Sequence, residues 1–169
     1  WIRSSSGPWL CSKRSEPMAE TGRERIAAVV VTYNRKALLV RCLEALLGQS
    51  RRLDAIYIID NHSTDGTHEK LVNRGLVAPS AFHAGDVCEQ VKTIETPSSQ
   101  NGSVEIHYVK MLENTGGAGG FHEGMKRSAA AGFDWLWLMD DDLLPAGDAL
   151  ETLVARKDFL AEISTRPFL

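Results

Sequence analysis

Short apolar segments alternate with helical patterns along the chain, and their lengths fit single strands. The segments Ile26–Thr32, Ala55–Ile59 and Trp135–Met139 are nearly continuous apolar runs, whereas Val104–Val109 alternates apolar and polar residues. Continuous runs rich in β-branched side chains are typical of strands buried on both faces of a parallel sheet. The pattern therefore predicts four main strands.

Helical patterns occupy the connections between these strands. Leucine side chains at helical spacing over residues 38–47 predict a helix that Gly48 ends, since glycine commonly follows the last helical turn. Further helices are predicted over Thr67–Asn73, about Gly119–Ala131 and about Asp148–Ile163. This alternation predicts an α/β fold, with a mostly parallel, doubly wound, Rossmann-like sheet and helices on both faces.

Two stretches have no clear period. Residues 1–25 are rich in Ser, Arg, Gly and Glu, which predicts a disordered N-terminal extension, and Met18 is its expected natural start. Residues 74–102 predict an irregular excursion that contains a short strand over about Val87–Ile94. One domain is therefore expected over residues 26–169.

Composition and charge narrow the classes of function. Hydrophobic residues make up 43% of the chain and the net charge is −3, so nothing favours nucleic acid as a partner. Cys11, Cys42 and Cys88 form no CxxC pair, which predicts reduced thiols rather than a disulfide framework or a zinc site. No apolar run is long enough for a transmembrane segment, and no signal-peptide pattern is present. We expect a cytoplasmic protein, either free or peripheral at the inner face of the membrane.

Polar or glycine-rich loops follow all four predicted strands. They cover Thr32–Arg35, Asp60–Gly66, Asn114–Gly120 and Asp140–Asp142. The carboxyl ends of parallel strands meet at one edge of a sheet, where α/β proteins bind their ligands. The four loops are therefore predicted to form one binding site.

Each loop has a structural and a functional interpretation. The acidic triplet Asp140–Asp142 fits a helix N-terminus or, better, a divalent cation, because hard cations prefer carboxylate oxygens. Asp60 and Asn61 fit a simple turn or a site that recognises a base. The glycine-rich loop Asn114–Gly120 is either flexible or an anion site at a helix N-terminus, although neither the GxGxxG nor the P-loop pattern is met.

Four motifs resemble those of the family 2 glycosyltransferases with the GT-A fold. They are Val29–Arg35, Asp60–Gly66, Asn114–Phe121 and Trp137–Asp142. The Gly-Gly-Ala-Gly-Gly-Phe segment and the triple Asp most resemble the galactofuranosyl- and rhamnosyltransferase branch. The resemblance covers about Ile26–Arg156.

The resemblance implies inverting transfer of a sugar from a nucleotide diphosphate sugar, of the UDP-galactofuranose or dTDP-rhamnose type. The acceptor would be a glycan or a lipid-linked sugar in cell-wall or polysaccharide synthesis. Asp140 and Asp142 would hold Mg²⁺ or Mn²⁺ on the diphosphate, and Asp141 would face the donor sugar. Asp60 would contact the base. The other implied donor-binding residues are Thr32, Tyr33, Arg35, Asn61, Asn114, Gly116 and Gly117.

Members of this family continue well past their Asp-X-Asp strand, and the later part supplies the acceptor site and the catalytic base. The resemblance therefore implies only the N-terminal, donor-binding part, incomplete at the C-terminus and without the base. A non-catalytic nucleotide- or metal-binding pseudoenzyme is the alternative. An uncovered sheet edge would also favour self-association.

Overall fold

Ten elements are defined in the computed structural model, which describes residues 2–3 (backbone only), 23–79, 87–96 and 102–156. In chain order they are β1 (Ile2–Arg3), β2 (Ile26–Thr32), α1 (Lys36–Leu47), β3 (Ala55–Asp60), α2 (Thr67–Asn73), β4 (Cys88–Glu95), β5 (Ser103–Lys110), α3 (Gly116–Ala130), β6 (Trp135–Asp140) and α4 (Ala149–Ala155).

The described strands form one sheet in the order β1-β6-β2-β3-β5-β4. The four inner strands, β6, β2, β3 and β5, are parallel to one another. The two outer strands are antiparallel to their neighbours, since β1 pairs with β6 and β4 pairs with β5. The predicted fold class, a mostly parallel α/β sheet, is therefore confirmed.

Strand β2 lies at the centre of the core because both of its faces are covered. Ile26, Ala28 and Val30 pack with the apolar side chains of α1, α2 and α4. The alternate residues Ala27, Val29 and Val31 belong to a second cluster that includes Phe133 and side chains of α3. A strand with two buried faces needs apolar residues at every position, which explains the continuous run in the sequence.

Helix α3 lies unusually close to β2, and two glycines permit this approach. A Cβ atom added at Gly124 would lie 2.3 Å from Val29 Cγ1 and 3.2 Å from Ile59 Cγ1. One added at Gly120 would lie 2.6 Å from Val31 Cγ1. These glycines therefore have a packing role, which the sequence pattern alone did not predict.

Most predicted boundaries agree with the structure. The strand predictions are correct to within one residue at each end, and α2 has its predicted bounds. Helix α3 begins at Gly116 rather than at about Gly119, so it includes two more glycines of the loop than predicted. Helix α4 begins at Ala149, and residues 157–163 of its predicted range lie outside the described residues.

The N-terminal segment departs from its prediction at two positions. Ile2–Arg3 forms a short strand paired with Leu136 and Trp135, where disorder was expected. Residues 4–22, including Met18, lie outside the described part of the chain. Within the part that is described, no helix is both long and apolar enough to cross a bilayer.

Substitution of Gly124 by alanine is expected to lower the free energy of unfolding by about 1–3 kcal/mol, because the new methyl group would overlap the buried Val29 side chain. Gly117→Ala is the matched control, since a Cβ atom there meets nothing within 4 Å. Alanine's higher helix propensity should raise the stability of this control by up to about 1 kcal/mol. Chemical denaturation measures both variants, and equal effects would contradict the packing role of Gly124.

The Cys42 thiol is expected to resist alkylation in the folded protein. Burial on α1, followed by the charges of Asp141 and Asp142, raises the pKa of Cys42 from its ordinary value of 9.0 to about 12. Since only the thiolate is nucleophilic, reaction with iodoacetamide at pH 8 should be at least roughly 100-fold slower than in the unfolded chain. Mass spectrometry of labelled peptides measures this, and rapid labelling of the folded protein would contradict it.

Candidate functional site

The four predicted loops meet at the carboxyl edge of the sheet, where they surround a cleft of about 290 Å³. Strands β2, β3, β5 and β6 each deliver one loop to it, because they are parallel and adjacent. The described residues that line the cleft are Val31, Thr32, Tyr33, Arg35, Asn61, Asn114, Gly116, Gly117, Asp140 and Asp141.

The loops after β2 and β3 are joined by hydrogen bonds at their turns. The Asn34 backbone N–H donates to Ser63 Oγ at 2.9 Å, and Asn34 Oδ1 accepts from the Thr64 N–H at 2.7 Å. Asn34 and His62 both have positive φ angles, of 53° and 70°. Residues other than glycine seldom adopt this conformation, so the two turns depend on these contacts.

Asn61 holds the glycine-rich segment in place. Its amide Nδ2 donates to Asn114 Oδ1 and to the Gly116 carbonyl oxygen, both at 2.9 Å. Its Oδ1 accepts from the Thr115 backbone N–H at 2.9 Å and from the Thr115 hydroxyl at 3.2 Å. One side chain at the end of β3 therefore fixes the first residues of α3, where φ of Gly116 is +72°.

Asp141 is the buried member of the acidic triplet, with 2% of its surface exposed. Its Oδ2 accepts a hydrogen bond of 2.6 Å from the Thr32 hydroxyl, and its Oδ1 accepts one of 3.3 Å from Arg35 Nη1. The same Arg35 nitrogen also lies 3.2 Å from Asp142 Oδ2. A buried carboxylate requires such partners, and here they join the end of β2 to the end of β6.

Asp140 differs from its two neighbours because its carboxylate is exposed and accepts no hydrogen bond from any described residue. Together with Asp142 it offers carboxylate oxygens, which suit Mg²⁺ or Mn²⁺. No group of three or more His, Cys, Asp or Glu residues within the described ranges is arranged to hold a metal ion. Two carboxylates alone could hold a cation only if its remaining ligands came from water or a bound diphosphate.

Asp60 lies behind the cleft rather than in its lining. Its side chain is fully buried, accepts from the Ser63 N–H at 2.7 Å and accepts from the Tyr108 hydroxyl. Burial, followed by the charge of Asp60 and this hydrogen bond, raises the pKa of Tyr108, which keeps its phenol protonated. In this arrangement the Asp60 carboxylate is occupied by internal contacts that shape the β3 turn.

The structure thus brings most of the predicted residues together. Nine of the ten predicted donor-binding residues line the cleft, and Asp60 does not. Asp142, predicted as a metal ligand, lies beside the cleft in contact with Arg35. The contact of Tyr108 with Asp60 was not predicted, because these two residues become neighbours only when β3 and β5 pair in register.

Sequence comparison finds relatives of known family. Residues 27–74 match the model of glycosyl transferase family 2. Galactofuranosyltransferase GlfT1 of Mycolicibacterium smegmatis is 34% identical over 147 residues, which are 85% of this chain and 39% of the relative. GlfT1 of Mycobacterium tuberculosis is 37% identical over 83% of this chain and 39% of its own length. The chain thus spans well under half the length of these relatives.

Solved structures show the same fold. TarS of Staphylococcus aureus superposes with a TM-score of 0.55 at 16% identity, over 80% of this chain and 20% of that protein. The mannosyltransferase PcManGT of Pyrobaculum calidifontis, solved with GDP-Man and Mn²⁺, gives a TM-score of 0.53 at 22% identity, over 79% and 32% of the two chains.

The fold of the described sheet is that of the GT-A glycosyltransferases, and the GlfT1 relatives are 34–37% identical to this chain over most of its length. Over residues 27–74 the chain matches glycosyl transferase family 2, and over most of its length it is similar to the galactofuranosyltransferases.

Proposed function

We propose that this chain binds the donor of a glycosyltransferase reaction, a nucleotide diphosphate sugar of the UDP-galactofuranose or dTDP-rhamnose type. The observation that carries the proposal is the convergence of four strand-end loops on one cleft. Tyr33, which lines the cleft and is about half exposed, offers an aromatic face for the base of the nucleotide. The start of α3 offers backbone N–H groups for the diphosphate.

A divalent cation, Mg²⁺ or Mn²⁺, is part of the proposal, with Asp140 and Asp142 as its protein ligands. The net charge of the chain is −3, so a diphosphate needs local positive charge to bind here. A cation supplies that charge, and it stabilises the charge that develops on a departing nucleoside diphosphate. The PcManGT structure, which contains Mn²⁺ and GDP-Man, supports a cation at this fold's donor site.

The complete reaction would transfer the sugar, with inversion, to a glycan or lipid-linked acceptor. Support comes from the GlfT1 relatives, which are galactofuranosyltransferases. Donor binding is the part of this reaction that the described residues are placed to perform. A nucleotide- and metal-binding chain without transfer activity is the second candidate, because none of the residues that line the cleft is assigned as a base for the acceptor hydroxyl. A transfer assay with radiolabelled donor separates the two.

Binding of UDP and dTDP is expected to require Mn²⁺ or Mg²⁺. Replacement of Asp140 or Asp142 by alanine should weaken this metal-dependent binding roughly tenfold or more, which equals about 1.4 kcal/mol. Asp148→Ala is the matched control, because Asp148 is an exposed carboxylate outside the cleft lining. Isothermal titration calorimetry with and without metal measures the effect. Unchanged metal-dependent affinity in the Asp140 and Asp142 variants would contradict the assignment of the ligands.

Substitution of Asn61 by alanine is expected to loosen the start of α3 and weaken nucleotide binding. The change removes the four hydrogen bonds of the Asn61 amide and should increase hydrogen exchange at residues 114–117 by about tenfold. Asn73→Ala, at an exposed position at the end of α2, is the control. If exchange at 114–117 were equal in both variants, Asn61 would not be the anchor of this segment.

A further inference from the structure

Arg35 makes a contact with the acidic triplet that the proposed donor site does not by itself require. One guanidinium nitrogen, Nη1, lies 3.3 Å from Asp141 Oδ1 and 3.2 Å from Asp142 Oδ2. The Asp141 side chain is 3% exposed, whereas the side chains of Arg35 and Asp142 are 52% and 55% exposed. The contact of Arg35 with the buried Asp141 is therefore held firmly, whereas its contact with the exposed Asp142 can be replaced by another cation.

Asp141 and Asp142 also differ in the partners that they have besides Arg35. Asp141 also accepts a hydrogen bond of 2.6 Å from the Thr32 hydroxyl, so its carboxylate has a second donor. Asp142 faces water and has free carboxylate lone pairs. A divalent cation at Asp142 would place a second positive charge next to the guanidinium, and like charges at this separation repel.

We propose that Arg35 competes with the divalent cation for Asp142, so that the site disfavours the free cation and accepts it together with the diphosphate. This inference rests on the proposed function and adds the order in which the site fills. Arg35 also lines the cleft, so a guanidinium that leaves Asp142 remains beside the space for the donor. Guanidinium groups bind phosphate oxygens in a bidentate manner, which would compensate for the lost carboxylate contact.

If Arg35 competes with the cation, its substitution should change the affinities for Mn²⁺ and for UDP in opposite directions. Arg35→Ala should bind free Mn²⁺ about two- to fivefold more tightly, the range expected for removal of one exposed ion pair. The same variant should bind UDP less tightly at saturating Mn²⁺, because a phosphate-binding group is gone. A residue with a purely structural role would weaken both equilibria, so the opposite signs distinguish competition from general loss of the site.

Lys36→Ala is the matched control because it removes the same charge one residue later. The Lys36 ammonium contacts the Asp65 carbonyl oxygen and none of the three acids. Mn²⁺ binding is measured in a titration followed by electron paramagnetic resonance, and UDP binding is measured by calorimetry. Circular dichroism checks the fold of each variant, and Arg35→Gln replaces Arg35→Ala if the latter unfolds.

Tighter Mn²⁺ binding in Arg35→Ala than in both Lys36→Ala and the unsubstituted chain, together with weaker UDP binding, supports the proposal. A Mn²⁺ affinity no higher than that of Lys36→Ala overturns it, including the case in which neither binds. Failure of the proposed function gives a different result, since the unsubstituted chain would then show no Mn²⁺-dependent UDP binding at all.

Discussion

The burial of the Asp141 carboxylate is the constraint on which the geometry of the cleft depends. A carboxylate this far from water is tolerated only with hydrogen-bond donors, and Thr32 and Arg35 supply them. Thr32 ends β2 and Arg35 precedes α1, so one buried acid fixes the relative position of two strand ends and a helix start. Asp140, which lines the cleft, and Asp142, which lies beside it, are thereby held at the surface.

The same principle operates on the other half of the cleft, at Asp60 and Asn61. Asn61 bonds to three consecutive residues at the start of α3, and the buried Asp60 bonds to the turn below it. Adjacent side chains at the end of β3 thus face in different directions and have different partners. The close contact of Gly120 and Gly124 with β2 then sets the depth at which α3 lies on the sheet. The cleft is consequently a product of packing as well as of loop chemistry.

Much of the fold was predictable from the sequence, because the four inner strands are apolar or alternating segments and α1 carries regularly spaced leucines. The edge pairing of Ile2–Arg3 was not predictable, since two residues carry no period. The packing role of Gly124 was also not predictable, because it depends on a valine 95 positions earlier in the chain.

The sequence by itself determined the order of elements, the parallel sheet and the edge at which the polar loops would meet. These follow from local rules: the period of apolar residues and the shared direction of parallel strands. Only the tertiary structure decided which acid of the triplet is buried, which of Asp60 and Asn61 lines the cleft, and where Arg35 binds. Those outcomes depend on strand register and on contacts between residues 29–109 positions apart, such as Asn34 with Ser63 and Thr32 with Asp141, which no local pattern encodes.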